Sequence, residues 1–386
     1  AEAGLAAPAI ARSMPEALTQ RIFERAEQAR SPNYPPATQP VFDTTGDVRK
    51  LTEERVPQVS IRDRLPTPLP GEKLPANARS APIVENSEAI AGEIARILRP
   101  SVEAGRTPGK FYYTGPVLKG LEDIGGLSPA ESGRFISDWS GQGAATSPRT
   151  ATPQNLRNAS YLLWRREQGD PLTTAKREAE GNRPGFAMMG MHTDLADQFA
   201  NNNVNLWRNP KPGTFQQNWA GNTSDVTGDT HNIRGTLSIL DALHPGSVPR
   251  GWFNNDEAYK LYRERGGFAP GVLPVGDIND SLQGVTVKKV PRQTEYGVMT
   301  DPWYRAADKL NIPPAEAQAH GWFDLGERTG LRSPELTIPD LLNSQIEETA
   351  RATGAHPDDI LRLWARRKIP LAEAEPGMRF GSSAVG

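Results

Sequence analysis

The stretch Asn209–Arg234 reads NPKPGTFQQNWAGNTSDVTGDTHNIR, and its interpretation decides how the rest of the chain is understood. Pro210 and Pro212 flank Lys211, and Gly213 follows. A short helical pattern comes next, then a turn region of Gly, Asn, Asp and Ser. The stretch closes on Gly228-Asp229-Thr230-His231, ahead of an apolar run from Ile233 to Leu243. Asp229 and Thr230 are residue types that cap helix N-termini, because a side-chain oxygen accepts from the unpaired backbone N–H groups of the first turn. A carboxylate in that position is favoured in its ionised form. A lysine held partly out of water is pushed toward its neutral amine, the form that attacks a carbonyl or sugar carbon. Lys211 and Asp229 are 229 − 211 = 18 residues apart, room for one helix between them. The plainer alternative is a solvated loop lysine and a structural cap.

Composition narrows the surroundings of this stretch. The chain has 386 residues, enough for two or three domains on length alone. The hydrophobic fraction is 37%, beside 35 prolines and 36 glycines, so part of the chain builds no core of its own. A net charge of −2 gives no global basic field, and DNA contact would rest on a local face. With no cysteine, disulfides, thiol nucleophiles, thiolate zinc sites and cysteine-ligated iron–sulfur clusters are excluded. The five histidines show no i, i+4 pair, so no histidine-built metal centre is expected, and nothing in the sequence calls for another cofactor. No apolar run is long enough to span a membrane, and the start carries no signal-peptide pattern.

Periodicity divides the chain into three parts. Residues 1–109 read as an amphipathic helix, Ser13–Ala29, followed by a Pro-rich extended arm over 31–83 and a second helix from Glu85 to Leu98 that ends at Pro100. Such a composition suits a disordered linker or an ordered arm, and an ordered arm must lie against its own globular part or a partner. Residues 110–371 read as a mainly α domain. Its helices are placed at Ser128–Ser140, Asn155–Arg165, His192–Asn201, Pro302–Leu310, from Pro313, at Asp340–Ala352 and at Asp358–Arg367. Residues 244–295 read as an irregular insertion with a short strand pair at Val285–Val290, and 372–386 as a flexible tail.

Three further groups carry chemistry or its plainer counterpart. Thr146-Ser147-Pro148-Arg149-Thr150 places hydroxyls and a guanidinium at a helix entrance, a pattern for an anion site or for simple capping. Phe111, Tyr112, Tyr113, Trp207 and Trp219 are suited to stacking on bases or to core packing. Arg362, Arg366, Arg367 and Lys368 form a phosphate-contacting or merely solvated face.

Taken in order, GAATSPRTATPQNLRNA, NPKPGTFQQN, VTGDTHNIR, EYGVMTDPWYRAADKLNIPPAEAQAHGWFDLG and IPDLLNSQIEETARATGAHPDDILRLWARRKIPL resemble a domain encoded by tailed bacteriophages and prophages, often inside long virion chains. The resemblance covers roughly 110–370. That phage domain is itself similar to the helix-hairpin-helix DNA glycosylases. The resemblance implies a mainly α, helix-hairpin-helix glycosylase-like fold in which Gly143–Thr150 matches the base-pocket helix start. Pro210–Phe215 matches the phosphate-gripping hairpin, and Gly228–His231 the motif bearing the catalytic Asp. It implies Asp229 and Lys211 as catalytic residues of a DNA N-glycosylase or lyase. The implied DNA contacts are Thr146, Ser147, Arg149, Gly213, Thr214, Thr230, His231 and Arg234. This sequence departs from the pattern in three places. NPKPGTF stands where a Leu-Pro-Gly-Val-Gly hairpin is usual, Gly228 replaces an apolar residue, and no cysteine is present for an iron–sulfur loop. The expected partners are DNA and other virion proteins, in the virion or the host cytoplasm. The alternative is a purely structural virion component whose arm binds neighbouring subunits.

Overall fold

A computed structural model describes residues 41–42, 49–65, 78–105, 115–148, 150–169, 190–253, 255–264, 266–267, 293–329 and 337–371. Among them the chain is helical, without a strand. The helices are α1 (Arg49–Arg55), α2 (Ala81–Glu85), α3 (Ser87–Glu103), α4 (Gly115–Asp123), α5 (Pro129–Thr146), α6 (Thr152–Glu167) and α7 (Gly190–Ala200). They continue as α8 (Pro210–Ala220), α9 (Thr230–Leu243), α10 (Asp256–Glu264), α11 (Tyr296–Leu310), α12 (Pro314–Thr329), α13 (Ile338–Thr353) and α14 (Pro357–Ala365). The expected helix Ser13–Ala29, the strand pair 285–290 and the tail 372–386 lie outside the described residues. No described helix is long and apolar enough to cross a membrane.

Local chemistry sets most boundaries. Ser128 precedes α5, and its N–H donates to Glu131 Oε2 at 2.8 Å, a reciprocal cap. Thr337 and Asp340 do the same for α13, and Pro takes an early helical position in α5, α6, α8, α13 and α14.

Elsewhere tertiary packing overrides the sequence signal. The expected end of α3 at Pro100 is incorrect, because the helix runs through it to Glu103. Pro100 is exposed, so the carbonyl that loses its partner faces water. Leu98 and Ser101 stay buried on the other side, where Ser101 Oγ donates to Asp324 Oδ1 of α12 at 2.7 Å. Helix α11 likewise starts six residues before Pro302. Within the Pro-rich arm, the Pro-free segment RKLTEER forms α1. Within the expected insertion, α10 forms, with Ala258 and Tyr262 buried at i, i+4.

The apolar side chains gather in two main clusters. The first joins α4, α5, α6, α8, α13 and α14 around Trp139, Trp219 and Trp364. Trp139 stacks on Trp219 with centroids 5.1 Å apart, and Trp364 meets Trp139 edge-on at 5.8 Å. Each such aromatic pair adds about 0.5–1.5 kcal/mol beyond area burial. The second cluster joins α3, α9, α10, α11 and α12 around Trp252, Trp303 and Tyr304. Helix α12 serves both, giving Ala315 and Ala319 to the first and Ala317 and Leu325 to the second. The chain also crosses between them at the α8–α9 loop: Phe215 and Trp219 belong to the first cluster, Ile233 and Leu237 to the second.

The small residues Gly141–Thr146 extend α5 beyond its expected end. A Cβ on Gly143 would fall 2.1 Å from Trp219 Cζ3, so a bare backbone is needed where α5 meets α8.

The described part of the arm lies on its own chain. From Gln58 to Ile61 it runs along the α8–α9 loop: Gln58 Nε2 donates to Gly221 O at 3.0 Å, and Asn222 Nδ2 donates to Val59 O at 2.7 Å. Ser60 Oγ (2.6 Å) and the Ile61 N–H (3.0 Å) donate to the buried Asp225 carboxylate. Arg62 pairs with Asp301 and lies 4.4 Å over the Tyr304 ring.

Candidate functional site

Helix α8, its following loop and the start of α9 bring Lys211 and Asp229 together. Lys211 is the second residue of α8, after Pro210. The residue keeps part of its surface open to solvent, yet the protein crowded around its amine pushes the ammonium pKa down, and the charge of Asp229 pushes back. The two charges sense each other without a direct ion pair, so a gap separates the amine from the carboxylate.

Asp229 is the N-cap of α9 and is largely buried. Its Oδ1 accepts the Asn232 N–H at 2.9 Å, and its own N–H donates to Asn232 Oδ1 at 3.2 Å. One oxygen therefore serves the helix. Among the described residues no donor takes Oδ2.

A buried tyrosine ties the two ends of this unit. Tyr296, the first residue of α11, accepts the Gly228 N–H on its hydroxyl at 2.7 Å. The same hydroxyl lies 2.9 Å from Thr214 Oγ1, which is 3.1 Å from the carbonyls of both Pro210 and Lys211. One arrangement gives every hydroxyl proton in the chain an acceptor. Gly228 donates to Tyr296, Tyr296 to Thr214, and Thr214 to the first-turn carbonyls of α8. Burial holds the Tyr296 hydroxyl well above the ordinary phenol range; its hydrogen bonds to Thr214 and Gly228 pull the other way, the Asp229 and Asp225 charges add a smaller push upward, and the hydroxyl keeps its proton. Gly228 matters for the same contact. A Cβ there would lie 2.6 Å from Thr300 Cγ2 and 3.3 Å from Tyr296 Cε2.

The other expected site residues are distributed differently. Gly213 sits inside the first turn of α8, with its N–H bonded to Asn209 O at 3.0 Å. Because Pro210 and Pro212 have no N–H, Lys211 has the one first-turn backbone donor of α8 not turned inward, a thin grip for a phosphate. Thr214 is fully buried and faces Tyr296. Thr146 is the last residue of α5, not a helix start, and its hydroxyl lies 2.5 Å from Asn155 Oδ1 in the interior. Ser147 Oγ turns back to Ala144 O at 3.0 Å. Arg149 lies outside the described residues. Thr230 and His231 are the first two residues of α9, and Arg234 is buried one turn on.

Of the aromatic set, Trp219 is core and Trp207 is half exposed, while Phe111, Tyr112 and Tyr113 lie outside the described residues. The basic face of α14 is largely engaged, Arg362 with Asp359 and Arg367 with Asp138. Sequence reasoning missed Tyr296, Asn232 and Asp225. Only the i+3 spacing of Asn232 from the cap carried a signal. No group of three or more potential metal ligands occurs among the described residues.

A groove of about 320 Å³ opens between the arm, α5 and α8, lined by Arg55, Val56, Ile61, Arg64, Gln216 and Gln217 among others, and neither Lys211 nor Asp229 lines it. Arg55 is committed to Glu122, its Nε 3.0 Å from Oε1. Comparison with family models, curated proteins and solved structures finds no match.

Proposed function

We propose that the chain is a virion-associated protein of a tailed phage, with a glycosylase-like fold that engages DNA and a Lys211–Asp229 site directed at a nucleotide sugar. One observation carries this reading: a lysine whose ammonium is destabilised by burial, held within electrostatic reach of a carboxylate, at the end of a helix–loop–helix unit. A neutral amine condenses with the C1′ aldehyde of a ring-opened, base-free deoxyribose. A C=N bond forms to Lys211 Nζ, and the aldehyde oxygen leaves as water. The Asp229 carboxylate favours the positive iminium, and in base excision it would favour the sugar cation that forms as the glycosidic electron pair departs with the base. No metal and no organic cofactor is required by this chemistry. The protein acts in the virion or in the host cytoplasm, beside other virion proteins.

A second reading is a structural virion component of the same fold without chemistry. The buried capping role of Asp229 and the inward hydroxyls of Thr146 and Thr214 favour it. Incubation with duplexes carrying an abasic site, followed by borohydride, separates the two. The enzyme reading expects a protein–DNA adduct that Lys211→Met abolishes and Asp229→Asn slows. No adduct and no strand cleavage, with Asp229→Asn behaving like wild type, leaves the structural reading.

A further inference from the structure

We propose that the Tyr296 hydroxyl is the positioning group of the Lys211–Asp229 site, setting the spacing of the pair through one hydrogen-bonded chain from Gly228 to the first turn of α8. The inference rests on reading Lys211 and Asp229 as a working pair. Its grounds are geometric. Lys211 rides on α8, which packs in the first apolar cluster, and Asp229 caps α9, which packs in the second. No hydrogen bond or ion pair joins the two residues directly. Tyr296 bonds one side at Gly228, the residue before Asp229, and the other at Thr214, one turn beyond Lys211. Thr214 returns to the Lys211 carbonyl itself. The bare Cα of Gly228 is what lets the loop come this close to α11. Ile61 and Leu65 of the arm pack on Tyr296, with Leu206 against the same cluster, and fix the ring from outside.

The same helix supplies a matched control. Tyr304, two turns further along α11, is also buried, and its hydroxyl accepts the Val226 N–H at 3.1 Å. It donates to Asp225 Oδ1 at 3.1 Å, so it holds the loop and the arm with no hydrogen bond to α8. Tyr304→Phe removes a comparable buried hydroxyl while leaving the chain from Gly228 to Lys211 in place.

Two measurements on the full chain test the proposal, using Tyr296→Phe, Thr214→Val, their double variant and Tyr304→Phe. The first is the titration midpoint of Lys211, read by competitive acetylation with acetic anhydride and peptide mass spectrometry. Burial is the larger influence on this amine, so loosening the first turn of α8 is expected to raise the midpoint by about half a unit or more. Tyr296→Phe and Thr214→Val should do so alike, and the double variant no further. Tyr304→Phe should leave the midpoint at the wild-type value. The second is the single-turnover rate of borohydride-trapped adduct on abasic duplex. It is expected to fall at least tenfold in Tyr296→Phe at unchanged DNA affinity, and not in Tyr304→Phe. Unaltered Lys211 titration in Tyr296→Phe, or equal shifts in both tyrosine variants, overturns the positioning role. Absence of any wild-type adduct overturns the lyase reading instead, and the titration then judges Tyr296 alone.

Discussion

Replacing Gly228 by alanine tests whether the loop before Asp229 is set by close approach to α11. The backbone of Gly228 is not in the left-handed region, so alanine meets no conformational penalty there. The cost is purely steric. The new Cβ would stand 2.6 Å from Thr300 Cγ2, a full ångström inside the separation at which two carbons attract. Overpacking of this kind costs about 1–3 kcal/mol. Loss of unfolded-state freedom offsets about 0.4–1 kcal/mol of that. A net destabilisation of about 1–2 kcal/mol follows. The severe clash is with a single methyl, and Thr300→Ser removes it while Oγ keeps its 3.1 Å bond to the Tyr296 carbonyl, leaving the Tyr296 ring at 3.3 Å to shift by a few tenths of an ångström. That second change alone costs about 0.5–1.5 kcal/mol for the lost buried methyl. Together the two changes should be no worse than Thr300→Ser alone, a favourable coupling of about 1 kcal/mol or more. Urea unfolding followed by both circular dichroism and tryptophan fluorescence gives the four free energies, provided the two probes coincide. Simple additivity, or an alanine variant as stable as wild type, would refute the account of Gly228.

Three other outcomes are expected. Lys211→Met should stabilise the protein at neutral pH: the lysine's folded-state pKa is depressed, so the unfolded chain binds the extra proton and the wild-type protein carries a cost below that pKa. The gain should shrink as pH rises toward the ordinary lysine value of about 10.4, and a gain that grew with pH would contradict the burial of this amine. Asp229→Ala should lose about 0.5–2 kcal/mol with the α9 cap, whereas Asp229→Asn, which can still accept from Asn232 N–H, should lose much less in the same unfolding assay. Arg79→Met should cost about 3–5 kcal/mol, because it removes the bidentate cationic partner of the buried Glu295. The double variant Arg79→Met, Glu295→Gln should recover much of that loss, and no recovery would argue against a charge penalty.

The parts of this fold legible in the sequence are those governed by local chemistry. Ser128 and Asp229 announce their helices because a cap is a contact within four residues, whereas the Thr337 cap goes unread and its helix is placed two residues late, from Asp340. The prolines misled at Pro100 and Pro302. A proline inside a helix is tolerated when its neighbours are held by packing, as Ser101 is by Asp324, and such packing leaves no mark within the helix's own sequence. The glycine-rich end of α5 reads as a loop until Trp219, 76 residues further on (219 − 143), fills the space that Gly143 leaves. The pairing of Lys211 with Asp229 was suggested by spacing and family resemblance, while Tyr296, 67 residues beyond Asp229 (296 − 229), belongs to a contact no periodicity encodes.

The division of the apolar interior into two clusters has a mechanical consequence. Lys211 is carried by one cluster and Asp229 by the other, and the chain passes between them in the nine residues from Gly221 to Asp229. A small shear of one cluster past the other therefore changes the amine–carboxylate separation before it disturbs either core. The pair works as a strain gauge across the molecule's midline. Any force that shears the two halves is expected to reach the titration of Lys211 by this route.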